Sequence, residues 1–320
     1  MKNPIVPPVM SDSGVAFRYQ EGLDSRLAPI VLLHGLSQQG DFWFPTIDAL
    51  GSRYSTLSID LRGHGESRNM PPNYHISQVS QDCIGLMDEL EIDKACVVGH
   101  SWGASVALNI AARYPSRTAS SVLIDGGAFT PANIVEGGSI TREDLNAALT
   151  PPIGPFSEAE LRSHYLPADM LSSIDQRESV ISAIARTYVE APQGGFVTTI
   201  GFDRHMAVLE AFLDYNPDSD LRALAVHTWI LMARDLFSPP TPLTTPALDS
   251  WAEARNQVET KVQGKMNIAL QHWYGAVHDV PLYWPIRVAQ LISHAVLSTR
   301  LSTRSTPRLI SENGERGGST

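Results

Sequence analysis

Residues Gly99-His100-Ser101-Trp102-Gly103 join two patterns that few backbones can connect so abruptly. Upstream, Ala95-Cys96-Val97-Val98 is short and wholly apolar, the signature of a strand buried on both faces. Downstream, residues 104–112 (ASVALNIAA) combine alanine with small apolar side chains, and Pro115 closes the run, so a helix follows at once. Passing from strand to helix in five residues requires a sharp turn with strained backbone at its apex, where Ser101 stands. Gly99 and Gly103 supply the lack of bulk that lets the helix pack close to the strand. The pattern predicts a nucleophile elbow, which presents the Ser101 hydroxyl at the edge of a sheet.

The flanking chain supplies the sheet. Val15 to Tyr19, Ile30 to Leu33, Thr56 to Ile59, Ser121 to Asp125, Val226 to Met232 and Met266 to Gln271 read as further strands. Helical patterns separate most of them. Val79, Cys83, Leu86, Met87 and Leu90 mark one buried helix face. A last helix beginning at Pro285 is expected to bury Ile286, Ala289, Leu291, Ile292 and Val296. Alternating strands and helices predict an α/β fold with a mostly parallel sheet covered on both faces.

That alternation stops between residues 128 and 221, where no strand series is evident and Ile181 to Val189 and His205 to Leu213 look helical. Thr141-x-x-Asp144 and Ser157-x-x-Glu160 resemble helix-starting capping boxes there. We expect a core from residues 1–127 and 222–300, a helical cap over 128–221, and a polar, Gly-rich tail without fixed structure over 301–320.

With 43% hydrophobic and 18% charged residues, the chain has an ordinary globular composition. A net charge of −10 without a Lys/Arg stripe argues against nucleic acid or an anionic membrane as partner. No signal peptide is expected in the proline-bearing residues 1–10, and no window is apolar enough to span a bilayer. The two cysteines, Cys83 and Cys96, fall in a helix and a strand as small core residues, which suits a cytoplasmic, reducing environment. No His/Cys/Asp/Glu set has the spacing of a metal site, so neither metal nor cofactor is expected.

A serine hydroxyl needs a base, an acid to orient that base, and donors for the oxyanion it creates. His278, in the loop between the last strand and the last helix, is the expected base. Asp235, where the strand of Ile230 to Met232 runs into Phe237-Ser238-Pro239-Pro240, is the expected acid. Asp125, ending the strand before Gly126-Gly127, competes with it. His34-Gly35-Leu36-Ser37 follows a buried strand, and the Leu36 and Trp102 amides are the candidate oxyanion donors. Within Asp60-Leu61-Arg62-Gly63-His64-Gly65-Glu66-Ser67, Asp60 is expected to hold local amides. Trp43 and Phe44 are candidate pocket residues.

Taken together, His34-Gly35, residues 60–67, the Ser101 elbow, Asp235 and His278-Asp279-Val280-Pro281-Leu282 resemble the α/β-hydrolase superfamily in its capped esterase- and lipase-like branch. Ala104 stands where relatives often carry a further glycine, and Met232-Ala233-Arg234 where they usually carry a glycine and an acidic residue. The resemblance covers roughly Gly14 to Leu297. It implies an eight-stranded sheet, a cap entering after Asp125, and a cofactor-free serine hydrolase of small, mainly apolar esters, lactones or thioesters. It also admits carbon–carbon bond hydrolysis, cofactor-free perhydrolysis, or a small-molecule receptor with vestigial hydrolysis.

Overall fold

Runs of two to seven residues, β-branched or leucine-rich at the centre, form one central sheet, seen in a computed structural model that describes residues 6–136, 140–151, 154–165, 174–234 and 245–299. Its strands are β1 (Val9–Met10), β2 (Ala16–Gln20), β3 (Ile30–Leu33), β4 (Thr56–Ile59), β5 (Ala95–His100) and β6 (Thr118–Ile124). A short hairpin, β7 (Tyr188–Glu190) and β8 (Phe196–Thr198), stands apart, and β9 (Thr228–Ala233) and β10 (Ile268–Trp273) complete the large sheet. The eight strands lie in the order β1-β2-β4-β3-β5-β6-β9-β10. Only β1 and β2 run antiparallel to their neighbours. Within the described residues the sheet thus has the strand count and direction implied by the sequence, with β1 added at an edge that the sequence did not mark.

Twelve helices are described: α1 (Phe44–Leu50), α2 (Ile76–Glu89), α3 (Trp102–Arg113), α4 (Pro131–Glu136), α5 (Arg142–Leu149), α6 (Glu158–Tyr165), α7 (Ile174–Ile184), α8 (Phe202–Leu213), α9 (Asp218–Ala223), α10 (Thr245–Val262), α11 (Val280–Tyr283) and α12 (Pro285–Leu297). None is long and apolar enough to cross a membrane. Strand side chains alternate between two cores. Val31, Leu33 and Val97 join Val79 and Leu86 of α2, Val106 of α3 and Val258 of α10 on one face. Ile30, Leu32 and Val98 join Ile47 of α1 and Val288 and Ile292 of α12 on the other. Cys83 and Cys96 are buried free thiols, one in each core.

Between β6 and β9 the chain leaves the sheet and builds the inserted region from α4 to α8. Its capping boxes form as the sequence suggests, with Asp144 N–H donating to Thr141 Oγ1 at 3.1 Å and Glu160 N–H to Ser157 Oγ at 3.2 Å. Two expectations change here. The helix read over Ile181 to Val189 ends at Ile184, and Val189 lies in the β7–β8 hairpin, whose three-residue strands are too short for alternation to register. In α12, Ile286 is 66% exposed because the apolar stripe that meets the core begins at Val288.

Parallel register brings the C-terminal ends of β3, β5, β6 and β9 to one rim: Leu33 pairs with Gly99, His100 with Ile124, and Ile124 with Leu231. A buried ion cluster fixes the loops at that rim. Arg18 of β2 reaches Asp60 at 2.6 Å and Asp41 at 2.5 Å, and all three side chains are almost wholly buried. Asp60 also accepts from the Gly40 and Glu66 amides, and Ser58 Oγ donates to the Gly40 carbonyl, so the segments after β3 and β4 are tied together. Burial pushes the Asp41 carboxyl up, while Arg18 opposes it. Removing Arg18 would leave two buried carboxylates facing each other, with the more exposed Arg186 guanidinium 3.8 Å from Asp41. Arg18→Met is therefore expected to cost about 3–5 kcal/mol in urea unfolding. A loss below about 1 kcal/mol would show that the cluster is not what holds these loops.

Candidate active site

Ser101 sits between β5 and α3 at φ 53°, ψ −118°, a conformation most L residues avoid. The surrounding backbone is packed too tightly for side chains. A Cβ on Gly99 would lie 2.1 Å from the Gly103 carbonyl oxygen, and one on Gly103 would lie 2.4 Å from the Leu33 and His34 carbonyl oxygens. A Cβ on Gly126 would lie just as close to the Ser101 carbonyl oxygen, at 2.4 Å. Gly127 faces Ala104, which explains why a methyl group is accommodated there. Ser101 N–H donates to the Ile124 carbonyl at 3.0 Å, locking the turn to β6.

The loop after β10 brings His278 onto this serine. His278 Nε2 lies 3.0 Å from Ser101 Oγ, and His278 Nδ1 lies 2.7 Å from Asp125 Oδ2. With Nδ1–H donating to the carboxylate, the Nε2 lone pair faces the serine hydroxyl. Asp125 stands just past β6 at φ 45°, its own amide donating to the Leu231 carbonyl at 2.8 Å. Its Oδ1 accepts from Ala233 N–H at 3.0 Å. Its Oδ2 accepts a second donor besides the imidazole, Arg255 Nη2 of α10, at 2.6 Å. Burial would push this carboxyl up, but the Arg255 guanidinium, the His278 ring and the Ala233 amide hold it below the usual carboxylate range.

Of the two expected acids, Asp125, the competing residue, is the one that the described residues place against His278 Nδ1. Asp235 itself lies outside the described residues. The physical reason lies in the strand ends: β6 neighbours β5, so a residue just past Ile124 stands beside the elbow without any long loop.

Neither expected oxyanion donor, Leu36 N–H or Trp102 N–H, is hydrogen-bonded to another described residue. Trp102 opens α3, so its amide also carries the positive end of that helix's dipole. The loop carrying Leu36 is held from several sides by uncharged histidines. His34 pairs with the Gly35 carbonyl at 2.8 Å and accepts from Leu61 N–H at 3.0 Å; burial pulls it down to about 3. His64 bonds the Arg62 carbonyl and accepts from Ser37 N–H, and burial likewise pulls it well below its ordinary value. His205 of α8, in the inserted region, meets Ser37 Oγ and is pushed by burial to about 4. Gln38 accepts from Gly35 N–H at 3.0 Å and donates to Asp279 at 3.1 Å, which ties this loop to the histidine loop.

Other candidates sit elsewhere. Trp43 is wholly buried in the core beside α1 and α12, with Phe42 edge-on to it, and Phe44 is half-buried against the same core. Trp102 is wholly buried in the opposite core, tilted on His64 at 5.1 Å. His100, His278 and Asp279 bring metal-ligand atoms within 4.8 Å of one another. The ring nitrogens have other work, however: His100 Nε2 donates to the His278 carbonyl at 2.9 Å and His278 Nε2 faces Ser101.

Sequence reasoning passed over Arg255. A signal was present: Trp251, Ala254, Val258 and Val262 form the buried stripe of α10, and Arg255 stands on that stripe, four residues after Trp251 and three before Val258. An arginine on an apolar face marks a buried acidic partner. His205 and Gln38 gave no such signal, because their contacts join segments far apart in the chain.

Comparison with known proteins agrees with this architecture. A family model described as the alpha/beta hydrolase fold matches residues 28–202. The 2-(acetamidomethylene)succinate hydrolase of Mesorhizobium japonicum is 32% identical over 156 residues, 45% of this chain and 52% of that protein. The dihydrolipoyllysine-residue acetyltransferase component of the acetoin cleaving system of Pseudomonas putida is 31% identical over 147 residues, 45% of this chain and 39% of that protein. The chain thus spans about two fifths to one half of the length of these curated relatives. A crystal structure of E-2-(acetamidomethylene)succinate hydrolase superposes with a TM-score of 0.64 at 21% identity, covering 91% of this chain and 99% of that one. With more than half its length matched by the family model and its sheet, elbow and inserted region in place, the chain belongs to the α/β-hydrolase fold family.

Proposed function

We propose that this chain is a serine hydrolase that cleaves carboxylic ester bonds, lactones and thioesters included, in small and mainly apolar molecules. The observation that carries this reading is the continuous chain from Ser101 Oγ through His278 to Asp125, at 3.0 and 2.7 Å, on a strained turn that fixes the hydroxyl. A named hydrolase among the relatives favours hydrolysis as the reaction class.

Ser101 Oγ attacks the carbonyl carbon while its proton passes to His278 Nε2. Asp125 keeps the ring in the tautomer that can accept that proton and faces the imidazolium with its negative charge. The oxyanion takes hydrogen bonds from the Leu36 and Trp102 amides, whose lack of other described partners leaves them available. As the tetrahedral species collapses, His278 protonates the departing alkoxide or thiolate. Water then repeats the sequence on the acyl-Ser101 ester, with His278 again taking and returning the proton.

A fluorophosphonate probe should label Ser101, and a chain-length series of nitrophenyl esters should be hydrolysed. Ser101→Ala should abolish labelling and lower turnover roughly a million-fold where chemistry is limiting. Ester hydrolysis at the wild-type rate in that variant would end the proposal. Asp125→Asn should lower kcat by about 10⁴-fold, because the amide leaves the wrong tautomer facing the serine. Asp235→Asn should leave kcat within a few-fold of the wild type, and the opposite ranking would return the acid's role to Asp235.

A further inference from the structure

The ion pair behind Asp125 is an uneconomical way to hold α10 in place. Arg255 is 2% exposed, and its Nε has no hydrogen-bond partner among the described residues. Burial pulls the guanidinium below its ordinary value, with Asp125 opposing. A buried arginine with an unused donor is a poor stabiliser compared with an apolar side chain of the same volume. Phe129 offers it only a ring face at 5.6 Å. Its position is telling in another way. Arg255 Nη2 and His278 Nδ1 reach the same oxygen of the same carboxylate, at 2.6 and 2.7 Å.

We propose that Arg255 is a positioning residue that divides Asp125's charge with His278, so that the site keeps its base unprotonated, and the serine reactive, at lower pH than Asp125 alone would allow. The inference rests on the serine-hydrolase reading for its functional consequence. Its physical content does not: a fixed cation sharing an acceptor with an imidazole disfavours the imidazolium whatever the substrate.

The other charges around the pair do not substitute for Arg255. His100, from β5, lies 4.8 Å from the His278 ring and is uncharged, burial having pulled it to about 4. Asp279, beside His278 in the loop, is engaged by Gln38. Arg234, just past β9, is turned to His272, Asn256 and Glu259. Among the described residues, Arg255 is therefore the cation in contact with Asp125.

The test compares Arg255→Met and Arg255→Gln, which remove the charge, with Arg255→Lys, which keeps it. Two midpoints are read in each protein. One is the NMR titration of the His278 ring, assigned through His278→Gln, and the other is the acidic limb of fluorophosphonate labelling. Both neutral variants should move the midpoints up by about one pH unit or more, and lysine by less than either. A folded neutral variant with the wild-type ring midpoint overturns the proposal. So does failure of both neutral variants to fold by circular dichroism, which would make Arg255 a structural cation. If the wild-type protein is not labelled at all, the hydrolase reading fails, and the ring titration still decides the role of Arg255.

Discussion

Backbone contact around Ser101, closer than any side chain permits, is the constraint on which the site depends. Gly99, Gly103 and Gly126 bring β5, α3, the end of β3 and the chain leaving β6 within 2.1–2.4 Å of positions a Cβ would occupy. Those contacts hold the serine at its positive φ, and strain of order 1–3 kcal/mol at such a residue persists only where its surroundings over-determine it. The same contacts set the reach of the other groups. Because Gly126 lies against the Ser101 backbone, Asp125 is pinned one residue away from the Ser101 turn. His278, arriving from a separate loop, then needs only one ring width to span the gap.

Charge at the rim follows a division of labour. Permanent cations, Arg18 and Arg255, are each buried against carboxylates, Asp41 and Asp60 in one case and Asp125 in the other. The histidines that shape the loop carrying Leu36 are held uncharged by burial, which outweighs bonds to backbone carbonyls that favour the charged form. They act as rigid spacers with one donor and one acceptor each, fixing loop geometry without adding field. Around the rim the field is thus set by fixed ion pairs and neutral rings, with His278 standing between them and Ser101.

Much of this was legible from sequence. Short buried strands, the glycines around Ser101, and the placement of His278 after the last strand all follow from local pattern, since each depends on residues a few positions apart. The acid was less legible. Both Asp125 and Asp235 end apolar runs, and choosing between them requires knowing which strand lies next to β5. Strand order is a property of the assembled sheet. The hairpin of β7 and β8 escaped because three-residue strands carry no usable period. Trp43 misled in a common way: an aromatic near a candidate site reads as pocket lining, yet its volume is what fills the core beside α1. Arg255 was visible as a break in the apolar stripe of α10, although the break alone did not name its partner.

The contacts of Asp125 have a consequence for the order in which this cluster assembles during synthesis. Its two ionic partners, Arg255 and His278, lie 130 and 153 residues further along the chain. A nascent chain that has emerged through β9 already contains the Ser101 turn, the loop carrying Leu36, Asp125 and the inserted region. It lacks His278 and Arg255, so Asp125 has neither of its ionic partners. The cluster beside Ser101 therefore closes only when α10 and the loop after β10 dock, which gives the last elements of the sheet and core the task of completing it.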